Sequence, residues 1–236
     1  MIQYGPFTIK CIGLPTMIDG KMRMHWSGTT HGTNCCIICD AGPLERSKRN
    51  GNFTPIESRY QYGFTCLHLR PRTMEWCAKF YINQDVKSYQ VTAPFKHLAK
   101  QRKKEFIAKC WDRLRVRVYK VLPGRQGNTN TGENARKLFR NHEVFADICE
   151  AEHFLIKGLK ILLDAYNCSL PIDADKLEEF AEKWLDAFFQ CEKAWNILSP
   201  TVHFLTEHAP DIVRVFPCPP GQSTEENGEK LHRIQR

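Results

Sequence analysis

A mostly α-helical fold is predicted for this chain, on three observations. Apolar residues recur at helical spacing over most of its length, whereas only residues 6–14 read clearly as strand. Two long amphipathic stripes fill the second half. The Cys and His residues stand in pairs at the two ends of this helical region, where a metal ion can tie it together.

The strand is Pro6-Phe-Thr-Ile-Lys-Cys-Ile-Gly-Leu14, a β-branched and aromatic run that stops at Pro15. Its sheet partners are expected elsewhere. Residues 27–63 are rich in Gly, Asn, Ser and Pro and read as loop around a Cys pair. Met74, Cys77, Phe80 and Tyr81 mark a helix over 67–89. A second helix starts at Pro94, a residue suited to a first helical turn, and runs to about Leu114. One flank of it is basic: Lys96, Lys100, Arg102, Lys103, Lys104, Lys109 and Arg113. Residues 114–121 alternate apolar and basic, and helix and strand are equally matched there. Residues 123–134 carry three glycines and no apolar residue, the pattern of a flexible connection.

A single helix is expected from Glu143 to Tyr166, with Val144, Ile148, Leu155, Ile156, Leu159 and Leu163 as its buried stripe. Another begins at Asp173 as N-cap and runs to Leu198 on Leu177, Phe180, Trp184, Phe188, Cys191 and Trp195. Ser223 and Glu226 form a capping box at a final helix start, so Glu225, Glu226 and Glu229 have a purely structural explanation as first-turn acids.

The composition is that of a folded protein, 42% hydrophobic and 25% charged, with a net charge of +8. That charge permits a polyanionic partner without demanding one. Eleven cysteines are present, and Met1-Ile-Gln-Tyr-Gly-Pro6 has neither the basic nor the apolar part of a signal peptide. Reduced, largely buried thiols are therefore expected, in cytosol or nucleus. No apolar run approaches the roughly 18 residues of a membrane span. Lys100 to Lys104 has the composition of a nuclear-import patch and equally of a solvated helix face.

Cys36-x-x-Cys39 lets two thiolates grip one tetrahedral zinc, or forms a redox pair. His25 and His31 lie upstream of it, and the next histidine is His68. His203-x-x-x-x-His208 has the spacing of paired ligands, or of ordinary core histidines. Asp19, in an Asp-Gly turn after an apolar run, can hold a divalent ion together with one of the C-terminal acids.

In the order of the chain these residues resemble one family. Thr16-Met-Ile-Asp-Gly-Lys21 and Cys36-Ile-Ile-Cys39 are similar to the second catalytic block and zinc cysteines of Transib DNA transposases. These are relatives of the larger catalytic subunit of the V(D)J recombinase. Gly63-Phe-Thr-Cys-Leu-His68, Lys87-Ser-Tyr-Gln-Val91 and Gln101-Arg-Lys-Lys-Glu105 follow in register. Then come Gly127-Asn-Thr-Asn-Thr-Gly-Glu-Asn-Ala-Arg-Lys-Leu-Phe139, His203-x4-His208-Ala-Pro and Glu226-x-x-x-Lys230-Leu.

The resemblance implies a partial RNase H-like core, retaining one N-terminal strand and the C-terminal helix, interrupted by a large zinc-stapled helical insertion. Its segments are residues 1–26 for the core remnant, 27–210 for the insertion and 211–236 for the truncated core helix. It implies metal-dependent DNA cleavage and strand transfer with Mg²⁺ or Mn²⁺ held by two Asp and one Glu. Asp19 corresponds to the second Asp and Glu226 to the Glu. Cys36, Cys39, His203 and His208 correspond to the zinc ligands, and His68 to a histidine near the scissile phosphate. Arg136 falls in a block close to DNA, and Lys137, Lys103 and Lys104 complete the expected DNA-binding set. A nuclear homodimer acting on DNA, with no membrane, is the family's setting. The family's first Asp has no counterpart here, so a fragment that is inactive alone is expected. A domesticated zinc- and DNA-binding module without catalysis is the alternative.

Overall fold

The computed structural model describes residues 2–4, 7–9, 35–51, 53–62, 66–84, 93–121, 129–191 and 197–223. Ile2–Tyr4 (β1) and Phe7–Ile9 (β2) pair antiparallel, with Ile2 opposite Ile9 and Tyr4 opposite Phe7. The strand expected over 6–14 thus appears at 7–9, and its partner is the segment just before it. Residues 10–14 lie outside the described residues.

Apart from residues 35–56, residues 115–121 and short connections, the rest of the described chain is helical, as the periodicity predicts. A 3₁₀ turn at Glu57–Tyr62 leads into α1, Cys66–Ile82. Leu69, Met74, Cys77 and Phe80 are fully buried on α1, which makes it the hub of the bundle. It packs against α2 (Ala93–Leu114), α3 (Gly132–Arg140), α4 (His142–Cys149) and α5 (His153–Tyr166). Helix α6 (Ala174–Gln190) covers α5 on one side and the C-terminal helical run on the other.

Tryptophans knit these layers. Trp184 of α6 stacks on Phe188 at 5.4 Å, and its Nε1 donates to the Leu155 carbonyl at 2.9 Å. Gly158 of α5 lies directly under the Trp184 indole, so a Cβ there would collide with it. Trp76 of α1 completes the cluster by an edge contact to Phe80 at 5.1 Å.

Five expectations need correction. The single helix over Glu143–Tyr166 is two helices. Glu150 takes a left-handed backbone (φ 51°), and Ala151 N–H closes back on the Ala146 carbonyl at 3.1 Å. That is a Schellman-type stop, and the apolar stripe runs on across it because both helices bury the same core. The turn also seats Asp147 between Arg113 (2.8 Å) and His153 (2.9 Å). Helix α6 stops at Gln190, because Cys191 turns extended as its C-cap, rather than continuing to Leu198.

Residues 115–120 are neither helix nor strand, with a lone bridge at Val121. The alternation is real, since Val116 and Val118 are buried, but among the described residues no strand lies beside them to form a ladder. The connection expected to reach residue 134 ends earlier, because Thr131 caps α3 by accepting from Asn134 N–H. Helix α1 ends at Ile82, and the predicted stretch 85–89 lies outside the described residues. Asp173 does cap α6, accepting from Asp175 and Lys176 N–H.

Candidate metal centre

The cysteine half of the centre is a tight turn. Cys36 N–H donates to the Ala41 carbonyl at 2.9 Å and Asp40 N–H to the Cys36 carbonyl at 2.8 Å. Asp40 closes the turn in the left-handed region (φ 59°), which Asp tolerates better than most residues. Arg59 braces it, donating to the Asp40 carboxylate at 2.7 Å and to the Ile37 carbonyl at 3.2 Å. Inside the turn, Ile38 N–H points at Cys36 Sγ at 3.4 Å. A backbone donor aimed at sulfur favours the thiolate.

The histidine half depends on an unusual helix. Pro200–His203 (α7) runs without a break through a π-helical turn, Phe204–His208, into α8, Ala209–Val215. In an α-helix, positions five apart point roughly 140° away from each other. The π register hydrogen-bonds i to i+5 and stacks such positions on one face. Ala209 N–H donating to the Phe204 carbonyl is that bond.

Two residues favour the wide turn. Pro210 has no N–H to offer the Thr206 carbonyl and would clash with it in a continuous α-helix. The Thr206 hydroxyl donates back to the Val202 carbonyl at 3.0 Å, which bends a helix locally. The result brings the His203 and His208 rings to 5.1 Å, edge to face.

The two halves meet. Cys39 Sγ lies 3.3 Å from His203 Nε2, across 164 sequence positions. One ligand atom from each of Cys36, Cys39, His203 and His208 lies within 4.8 Å of the other three. Three of the four residues are buried, and Phe53 closes the site with an edge contact to His203 at 4.5 Å. Tetrahedral zinc keeps such atoms roughly 3.3–3.8 Å apart, so a contraction of about 1 Å at the widest pair encloses an ion.

The protonation pattern suits a metal. Burial pushes the Cys36 thiol up, but the neighbouring Cys39, His203 and His208 outweigh it and bring Cys36 well below its ordinary value. The Cys39 thiol is driven up by its hydrogen bond to Cys36 and by burial, so the pair shares one proton. Burial lowers His203, keeping the neutral imidazole that ligates metals. His208 Nε2 is buried with no hydrogen-bond partner, a donor atom left for an ion. These four side chains can hold a metal ion such as zinc.

The other expected site residues are placed elsewhere or not described. Asp19 and Glu226 lie outside the described residues. His68 is half-buried on α1 and is not part of the cluster. Arg136 of α3 lines a pocket of about 250 Å³ with Arg70, Phe139, Arg140, Lys160 and Asp164. Lys137 is exposed beside it and pairs with Glu133 at 3.0 Å. Lys103 and Lys104 are exposed on α2, Lys103 lying over the Tyr119 ring at 4.1 Å. The expected DNA-binding set is therefore split between two helices.

Sequence reasoning missed the residues that hold the ligands: Arg59, Phe53, Thr206 and the buried Arg46. Only Pro210, two residues after His208, gave any signal. The chain matches no protein-family model, and no curated protein matches it at a significant level.

Proposed function

We propose that this chain is a segment of a Transib-like DNA transposase, related to the catalytic subunit of the V(D)J recombinase. In this reading Cys36, Cys39, His203 and His208 bind a structural Zn²⁺ that ties the two ends of a helical insertion in an RNase H-like core. The observation that carries it is the Cys39–His203 contact at 3.3 Å. The motif series names the same four ligands whose donor atoms cluster here. Zinc bound there supplies folding energy rather than chemistry, because four protein ligands leave no open position.

The partner in this reading is DNA, in the nucleus, met by the Lys103 and Lys104 surface and by Arg136 and Lys137. Asp19 and Glu226 hold Mg²⁺ or Mn²⁺ for strand cleavage, in a polypeptide that also supplies the family's first Asp and works as a homodimer. His68 stands near the scissile phosphate.

A longer polypeptide carrying this segment is the test. With Mg²⁺ or Mn²⁺ it is expected to nick DNA, and Asp19→Asn or Glu226→Gln is expected to abolish nicking. Nicking that survives both changes overturns the catalytic assignment. The second reading, a zinc- and DNA-binding module without catalysis, draws on the exposed lysines of α2. It predicts duplex binding that weakens steeply with salt and no nicking by any form of the protein.

A further inference from the structure

The segment that joins α2 to α3 has a geometry that the metal centre does not use. It leaves α2 at Leu114 and alternates, burying Val116 and Val118 and exposing Arg115 and Arg117. Arg115 and Tyr119 both hold φ 54°, a left-handed backbone that bulky side chains rarely adopt. Two asparagines keep it there. Tyr119 N–H donates to Asn130 Oδ1 at 2.7 Å, and Asn134 Nδ2 donates to the Arg117 carbonyl at 2.9 Å. Asn130 in turn donates to Glu75 of α1 at 2.6 Å.

This strap sets two guanidiniums against one indole. Arg117 lies 4.9 Å and Arg115 5.5 Å from the Trp111 ring, which is 38% exposed. Along it runs an open apolar groove of about 330 Å³, lined by Ile107, Trp111, Val116, Val118 and Tyr119 together with Arg117 and Lys120. Among the described residues, no carboxylate lines this groove. A flat aromatic face flanked by cations matches a ligand that is itself flat, aromatic and anionic along its length.

We propose that this groove binds unpaired nucleotides of single-stranded nucleic acid. A base stacks on Trp111, and the neighbouring phosphates meet Arg115, Arg117 and Lys120. In a duplex the base faces are stacked on each other, so the cations serve both forms of DNA while the indole serves only the unpaired one. The inference rests on the DNA-binding reading above and adds which form of DNA this surface selects.

The test measures binding of the zinc-loaded chain to a labelled thymidine oligomer of about 15 nucleotides and to a duplex of equal length. Trp111→Ala is expected to weaken single-strand binding by roughly fivefold or more, the low end for one base–aromatic stack. Duplex affinity should change less than about twofold, since the phosphate contacts remain. Trp111→Phe is expected to restore most of the loss. Should the alanine variant fail to fold, Trp111→Phe and Arg117→Gln carry the test, the first near wild type and the second weakened on both forms. Single-strand binding that ignores Trp111, or equal losses on both forms from Trp111→Ala, overturns the proposal while leaving the DNA reading intact. A wild-type chain that binds neither form at low salt overturns both.

Discussion

Arg46 Nε donates to the carbonyl oxygen of Leu198 at 2.9 Å, joining the loop after the cysteine turn to the segment just before α7. Arg46 is 1% exposed, and its guanidinium also donates to the Ala41 carbonyl at the end of that turn. Nearby, Tyr60 OH donates to Asp211 at 2.9 Å and Arg49 pairs with Asp186 at 2.7 Å. The two parts of the chain that present the metal ligands are thus held together by protein contacts as well as by any ion.

Arg46→Met keeps much of the buried volume and removes the donors. The Leu198 and Ala41 carbonyls lose a charge-assisted bond in a dry setting, and a loss of about 1–3 kcal/mol is expected. Urea unfolding of the metal-loaded protein checks it. A loss below about 0.5 kcal/mol would mean that water replaces the guanidinium.

Purified protein is expected to carry one zinc per chain, with Cys39→Ser and His208→Ala each losing it. His68→Ala should retain the metal, because His68 is outside the cluster. Stripping the ion with a chelator should lower the melting temperature, since binding energy to the folded state is folding energy. Metal content by atomic absorption decides the first part, and equal zinc in all variants contradicts the assignment.

Thr206→Val removes the hydroxyl that bonds back to Val202 and His203 while keeping shape. The π turn then loses one of its two local supports, and the His203–His208 phasing loosens. Zinc stoichiometry should stay at one while affinity falls roughly tenfold, the low end for residues that support ligands. Competition with a chromophoric chelator measures it; unchanged affinity assigns the turn to Pro210 alone.

Asp164 sits between Lys160 at 2.7 Å and Arg70 at 2.9 Å. Partial burial raises its carboxyl, but the two cations outweigh this and hold it below the usual range. A depressed carboxylate contributes stability above its unfolded value of about 4 and loses it as pH falls through the folded one. Asp164→Asn is therefore expected to be less stable at neutral pH by no more than about 1 kcal/mol, given a side chain 44% exposed. The gap to wild type should narrow as pH falls below the unfolded value of about 4 and vanish once pH passes the depressed folded one. Unfolding curves of both proteins across that range check the sign, and a gap that widens on acidification refutes it.

The legible part of the fold was what a short window of sequence decides. The stripe through Leu155, Leu159 and Leu163 and the cap at Asp173 are local, because helical phase and capping depend on residues within a turn or two. The break at Glu150 was not legible, since the apolar period crosses it and only packing selects the left-handed turn. Residues 115–121 misled for a related reason. Alternation shows that one side is buried, but a ladder needs a neighbouring strand.

The sequence by itself determined the donor atoms of the metal centre: a cysteine pair able to grip one ion and a histidine pair five positions apart. Tertiary structure alone decided that these halves meet, and that the second half faces inward. An α-helix would splay His203 and His208, and only the π turn at Phe204–His208 brings them into phase. Closing a loop of 164 positions is set by the summed packing of the bundle, Arg46 and Leu198 included, which no local pattern encodes.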